Sequence, residues 1–155
     1  MRFLELKIPP VIVFLAVGLF MYGCAYWVPA ATYPIPGRRL MGFVMVAWGL
    51  LVGALSVSAF RSHQTTVNPH RPGNASMLVT RGIYRQTRNP MYLGLLFLLT
   101  GWGFYLSNVL AFLGLPLFVL YMTEFQIKPE ERALAQKFGT SYIGYTSMAK
   151  RWWLF

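Results

Sequence analysis

Between Pro90 and Thr123 the chain runs for 34 residues without a charged side chain. A single α-helix of that length would extend about 50 Å, against about 30 Å of bilayer hydrocarbon. One straight helix overshoots, so a hairpin of two shorter helices is expected. The polar pair Ser107-Asn108 is the natural break, giving spans at 91–106 and 109–123, with Pro116 placed to kink the second. Two further apolar stretches, 9–28 and 40–60, each approach the roughly 20 residues that cross a bilayer. Small residues in the second, Gly42, Gly49, Gly53, Ala54, Ser56 and Ser58, allow another helix to come close. The expectation is a single all-α polytopic membrane domain over 1–155, with four spans and a C-terminal amphipathic helix.

Charge supports this reading. The net charge is +10, with 14 Lys and Arg against four glutamates and no aspartate. Such a balance would fit nucleic acid, but the basic residues flank apolar runs, as membrane topology requires. Four spans put Arg2, Lys7, five arginines of the 61–89 segment and five basic residues of the tail on one side. Only Arg38 and Arg39 fall opposite. Twelve against two places both termini and both polar segments in the cytoplasm by the positive-inside rule. The first apolar segment lacks a clear cleavage site and is read as a retained helix. The last residues carry no lipidation motif.

Several chemistries are excluded. Cys24 stands alone, so neither an intrachain disulfide nor a CxxC site forms. His63 and His70 lack metal-ligand spacing, and no metal is expected. GxGxxG, GxSxG, HExxH and Walker patterns are absent. Asn74-Ala75-Ser76 matches a glycosylation sequon, which stays silent on a cytoplasmic segment.

The chemistry-bearing residues lie in the two polar segments. Leu78-Val79-Thr80-Arg81-Gly82-Ile83-Tyr84 is followed by Arg88-Asn89-Pro90-Met91-Tyr92. The tail carries Glu130-Glu131, then Phe138-Gly139-x-x-Tyr142. These blocks, in this order, resemble the isoprenylcysteine carboxyl methyltransferases and, more loosely, the phospholipid methyltransferases, in their bacterial-type members. The likeness covers roughly 65–152. It implies S-adenosylmethionine as cofactor, S-adenosylhomocysteine as product, and a lipophilic or lipid acceptor at the cytoplasmic face of an inner membrane. Carried over by position, Ser76, Met77, Leu78, Val79, Gly82, Tyr84, Arg88, Asn89, Pro90, Met91, Tyr92 and Glu130 line the cofactor pocket. Arg88, Asn89 and Glu130 carry the reaction, and Gln126 faces the substrate. Two positions depart from the carboxyl methyltransferases: Asn89 replaces a His, and Gln126 replaces an Arg that would hold a substrate carboxylate. A prenylcysteine carboxylate is therefore disfavoured.

The residue types suit the cofactor. A buried carboxylate such as Glu130 accepts from an ammonium or a ribose hydroxyl. Arg88 or Arg85 pairs with a carboxylate by a two-pronged fork. Tyr84 and Tyr92 offer π faces to adenine or a cation. Plainer roles stand beside these. Arg81, Arg85 and Arg88 can serve topology alone, and Glu130 and Glu131 a helix dipole. Asn89-Pro90 can be a helix start, and Tyr142, Tyr145, Trp152 and Trp153 interface anchors. The rival function is a non-catalytic lipid-binding or scaffold protein of the same fold.

Overall fold

A computed structural model describes residues 5–62 and 78–153, the side chains of 60–62 excepted. Ser76, Met77, His63, His70 and the sequon lie outside the described residues. The described residues contain helices and no strand. Helix α1 spans Pro10–Trp27, α2 Arg38–Ser62, α3 Pro90–Leu106 and α4 Gly114–Met122. Helices α5, Lys128–Phe138, and α6, Thr140–Met148, follow.

Helices α1 and α2 are long and apolar enough to cross a membrane. Their apolar side chains point mostly outward: Leu19 is 70% exposed and Phe43 71%. A soluble core helix would hide such residues, whereas lipid covers them. α3 carries no charge but has only 17 residues.

α2 and α3 form the tightest helix pair. Its cause is glycine. A Cβ on Gly49 would stand 2.8 Å from the Gly94 carbonyl oxygen, and one on Gly101 2.8 Å from that of Gly42. Backbone approach at this distance tolerates no side chain. The expected close-packing role thus falls to Gly42 and Gly49. Gly53 adds to it, its backbone lying near Gly94.

The break at Ser107-Asn108 occurs as expected. Ser107 takes a left-handed conformation, φ 52°. Asn108 is fully buried, and its amide nitrogen donates to the Val28 carbonyl at 2.9 Å and to Thr32 Oγ1 at 3.0 Å. Its Oδ1 accepts from the Ala111 N–H. The turn between α1 and α2 is thereby sewn to the turn between α3 and α4.

Beyond that turn the expectation needs correction. The last apolar helix does not run 109–123. It begins with a 3-10 turn, Ala111–Leu113, and Pro116 lies in the first turn of α4, where a missing N–H costs least. Pro129 stands in the first turn of α5, a position that suits its residue type. A π turn, Thr123–Ile127, joins α4 to α5 without a break. Pro129 has no N–H for the Phe125 carbonyl four residues back, and the N–H of Leu6 takes that place at 3.0 Å. Fully buried Gln126 donates to the Ile8 carbonyl at 2.6 Å, and Glu5 pairs with Arg132. The N-terminal segment is thus strapped to the π turn.

Gly139, at φ 51°, ends α5, and α6 turns back to pack on Leu134 and Phe138. Tyr142, Tyr145 and Trp152 are not interface anchors. They are 4%, 5% and 2% exposed, because α6 and the tail fold onto the bundle. Trp153 alone of the four stays exposed.

Candidate functional site

The end of the bundle where α2 finishes and α3 begins is closed by residues 78–89 on one side and by α5, α6 and the tail on the other. Gly82 allows the chain to turn at φ 61°, and the 3-10 turn Gly82–Arg85 follows. Tyr84 is thereby driven inward to a hydrogen bond with Ser56 of α2. Its own carbonyl accepts from the Tyr145 hydroxyl at 2.7 Å.

Residues 87–89 then run beside the tail. Arg88 N–H donates to the Lys150 carbonyl at 2.8 Å, and Thr87 Oγ1 and the Asn89 amide both donate to the Arg151 carbonyl. Asn89-Pro90 does open α3, but the Asn89 side chain makes no cap. It is spent on Arg151 instead.

Two acid-centred contacts cross this seam. Tyr92, in the first turn of α3, donates a short hydrogen bond to Glu130 of α5. Arg88 pairs with Glu131 at 3.0 Å, and Arg151 grips the same carboxylate with two bonds, at 2.7 and 3.1 Å. Arg88 and Glu131 are only 13% and 17% exposed, so water screens their attraction weakly. Arg88 Nε is buried and has no partner among the described residues.

The electrostatics follow from burial. Glu130 is half-buried with no cation paired to it among the described residues, and desolvation pushes its carboxyl up to about 8, against the opposing pull of the Tyr92 hydroxyl. Burial also raises the Tyr84 and Tyr145 hydroxyls, and lifts Tyr142 to about 12. The hydrogen bonds to Glu131 hold Arg151 more firmly protonated.

Of the residues singled out from the sequence, Tyr84, Arg88, Asn89, Tyr92 and Glu130 come together here. Val79 and Pro90 are buried, Leu78 packs against the tyrosines of α6, and Met91 turns to the main core. Gln126 bonds to the N-terminal strap and to no member of the cluster, and its Oε1 has no partner among the described residues. Sequence reading gave Glu131 only a dipole role and passed over Thr87 and Arg151. The one available signal was the uneven charge: with four acids against 14 bases, one acid can be shared by two bases, as Glu131 is.

The set suits a ligand that carries both an anionic and a cationic group. The orphaned Arg88 Nε is a donor for a carboxylate, Glu130 an acceptor for an ammonium or hydroxyl, and the tyrosines are flat apolar walls. Among the described residues, no group of three His, Cys, Asp or Glu could hold a metal ion.

An uncharacterized protein of Haemophilus influenzae is 45% identical over 62 residues, which are 40% of this chain and 98% of that protein. No solved structure matches the chain. A family model described as phospholipid methyltransferase matches residues 38–141, from the first residue of α2 into α6. On that match, which covers more than half of its length, the chain belongs to the phospholipid methyltransferase family.

Proposed function

We propose that this protein transfers a methyl group from S-adenosylmethionine to a lipid-borne amine, at the cytoplasmic end of a four-span bundle. The observation that carries the reading is the seam itself. Tyr92–Glu130 and Arg88–Glu131 bring a carboxylate and a guanidinium from distant segments to one half-buried place. S-adenosylmethionine supplies, when bound, a methyl group activated on a sulfonium. Arg88 and Glu130 hold the cofactor's charged groups. Asn89 positions the tail over α3 through Arg151. Leu78, Val79, Gly82, Tyr84, Pro90 and Tyr92 form the walls. Methyl transfer is an in-line displacement, and holding donor and acceptor aligned can contribute on the order of 7–11 kcal/mol.

Gln126 supports an amine acceptor. One of its two amide hydrogens goes to the Ile8 carbonyl, and Oε1, an acceptor, has no partner among the described residues. An acceptor oxygen suits an N–H group and repels a carboxylate. The acceptor's proton must leave, and Glu130, whose carboxyl is raised to about 8, can take it once it has given up its own proton to solvent.

The test is calorimetry with S-adenosylhomocysteine on purified protein. Arg88→Ala and Glu130→Ala should each weaken binding by about tenfold or more, the loss of one charge-assisted hydrogen bond. Unchanged binding in both variants would refute the assigned pocket. No binding to the folded wild type at millimolar ligand would favour the non-catalytic lipid-binding reading. Radiolabelled methyl donor supplied to membranes then identifies the product.

A further inference from the structure

Helices α1 and α2 are joined by ten residues yet hardly touch. Both lie along α3, and the angle between them stays open as a groove of about 850 Å³. Its walls are Leu15 and Leu19 of α1 and Phe43 of α2, and its floor includes Leu98 and Trp102 of α3. Neither wall is placed to close it. Gly42 against Gly101 locks α2 onto α3, and Trp102 Nε1 donates to the Gly18 carbonyl at 3.1 Å, locking α1. The lining is almost wholly apolar except at one end, where Arg38 and Arg39 stand.

Among the described residues these two arginines have no acid of their own. The chain holds four glutamates and no aspartate. Glu5 pairs with Arg132, Glu124 with Lys128, and Glu131 with Arg88 and Arg151, while Glu130 binds Tyr92. Arg38 and Arg39 also sit in the first turn of α2, beside the positive end of its dipole. A strip of apolar wall ending in two uncompensated guanidiniums complements a molecule with an apolar tail and an anionic head. Exposed Tyr22 and Tyr105 line the same groove, as aromatic residues do at headgroup depth.

We infer that this groove binds one anionic phospholipid, with an acyl chain along α3 and its phosphate between Arg38 and Arg39. This lipid is not the methyl acceptor. Ser56, which touches Tyr84 of the candidate site, lies 18 residues along α2 from Arg38, or about 27 Å at 1.5 Å per residue. The site is a second one, at the opposite end of the bundle, and does not depend on the proposed chemistry.

The experiment is native mass spectrometry of delipidated protein offered equal phosphatidylglycerol and phosphatidylcholine. The wild type should retain one phosphatidylglycerol in preference, on the order of tenfold. Arg38→Gln with Arg39→Gln should abolish the preference, and the double Lys variant should keep most of it. Gly18→Leu puts a side chain into the groove without a backbone clash, since a Cβ there meets only Leu99, at 3.8 Å. It should reduce retention of both lipids. Binding of S-adenosylhomocysteine should be the same in all these variants. Equal retention of the two lipids by the wild type, or a preference that survives the Gln pair, would overturn the inference. So would a lipid-free dimer, which would mean a second copy fills the groove.

Discussion

Two buried-facing asparagines mark the two ends of this bundle, and they are used differently. Asn108 is sealed among neutral partners: two donors and one acceptor, each matched to a backbone or hydroxyl group. Nothing there titrates, and the turn is fixed. The Asn89 side chain makes one bond among the described residues, to the Arg151 carbonyl, within a seam of charge. Around it one carboxylate serves two guanidiniums, another has only a tyrosine, and Arg88 Nε has nothing among the described residues. A satisfied end resists change. An end with spare hydrogen-bonding capacity and a raised carboxyl pKa can exchange internal partners for those of a ligand.

The comparison breaks most visibly at the satisfied end. Asn108→Ala removes three buried hydrogen bonds and should cost about 3 kcal/mol, near 1 kcal/mol for each. Unfolding in detergent measures this, and the affinity of the remaining folded protein for S-adenosylhomocysteine should not move. A change in affinity would show that the two ends are coupled. At the charged end Glu131→Gln should cost less, about 2 kcal/mol, between the values for exposed and buried pairs. Wild-type stability should also fall with added salt while the variant's stays flatter. Affinity for S-adenosylhomocysteine should rise a few-fold, because Arg88 is released. A collapse of affinity would instead make Glu131 itself a ligand-binding residue.

The same contrast separates what sequence could tell from what it could not. The satisfied end was legible, because Ser107-Asn108 is a polar interruption in an uncharged run, and only a turn suits it. Helices α1 to α3 were legible within two residues at each end for the same reason, length against bilayer thickness. The passage from α4 to α5 was not. Pro129 ordinarily starts a helix, and nothing local announces that Leu6, far off in the chain, will take the carbonyl it leaves free. Tyr142, Tyr145 and Trp152 were misread because aromatic residues near a membrane look alike whether they face headgroups or a fold-back. Gly139 showed the corner but not the direction of α6. At the site, the meeting of Arg88 with the glutamate pair was anticipated from the sidedness of charge. Which glutamate each partner takes depends on the helical phase after the π turn, which composition does not encode.

The smallest expected effect concerns pH, and it probes the charged end alone. Burial raises Glu130 from 4.5 to about 8 in the folded protein, so the unfolded chain gives up this proton first. Below 4.5 both states are protonated and the group contributes no pH dependence. Between 4.5 and 8 the folded state binds more proton than the unfolded one, so wild-type stability falls as pH rises. Above 8 both are ionised and the loss is complete. Glu130→Gln keeps an oxygen for Tyr92 to donate to and removes the titration. Its unfolding midpoint should match the wild type near pH 4.5 and exceed it by a few degrees at pH 8.5, a modest gap because Glu130 is only half-buried. S-adenosylhomocysteine, which brings an ammonium, should narrow that gap by favouring the ionised carboxylate. Parallel pH profiles for the two proteins would mean that Glu130 is ionised throughout, already balanced by its neighbours, and the two ends of the bundle would then differ in charge but not in strain.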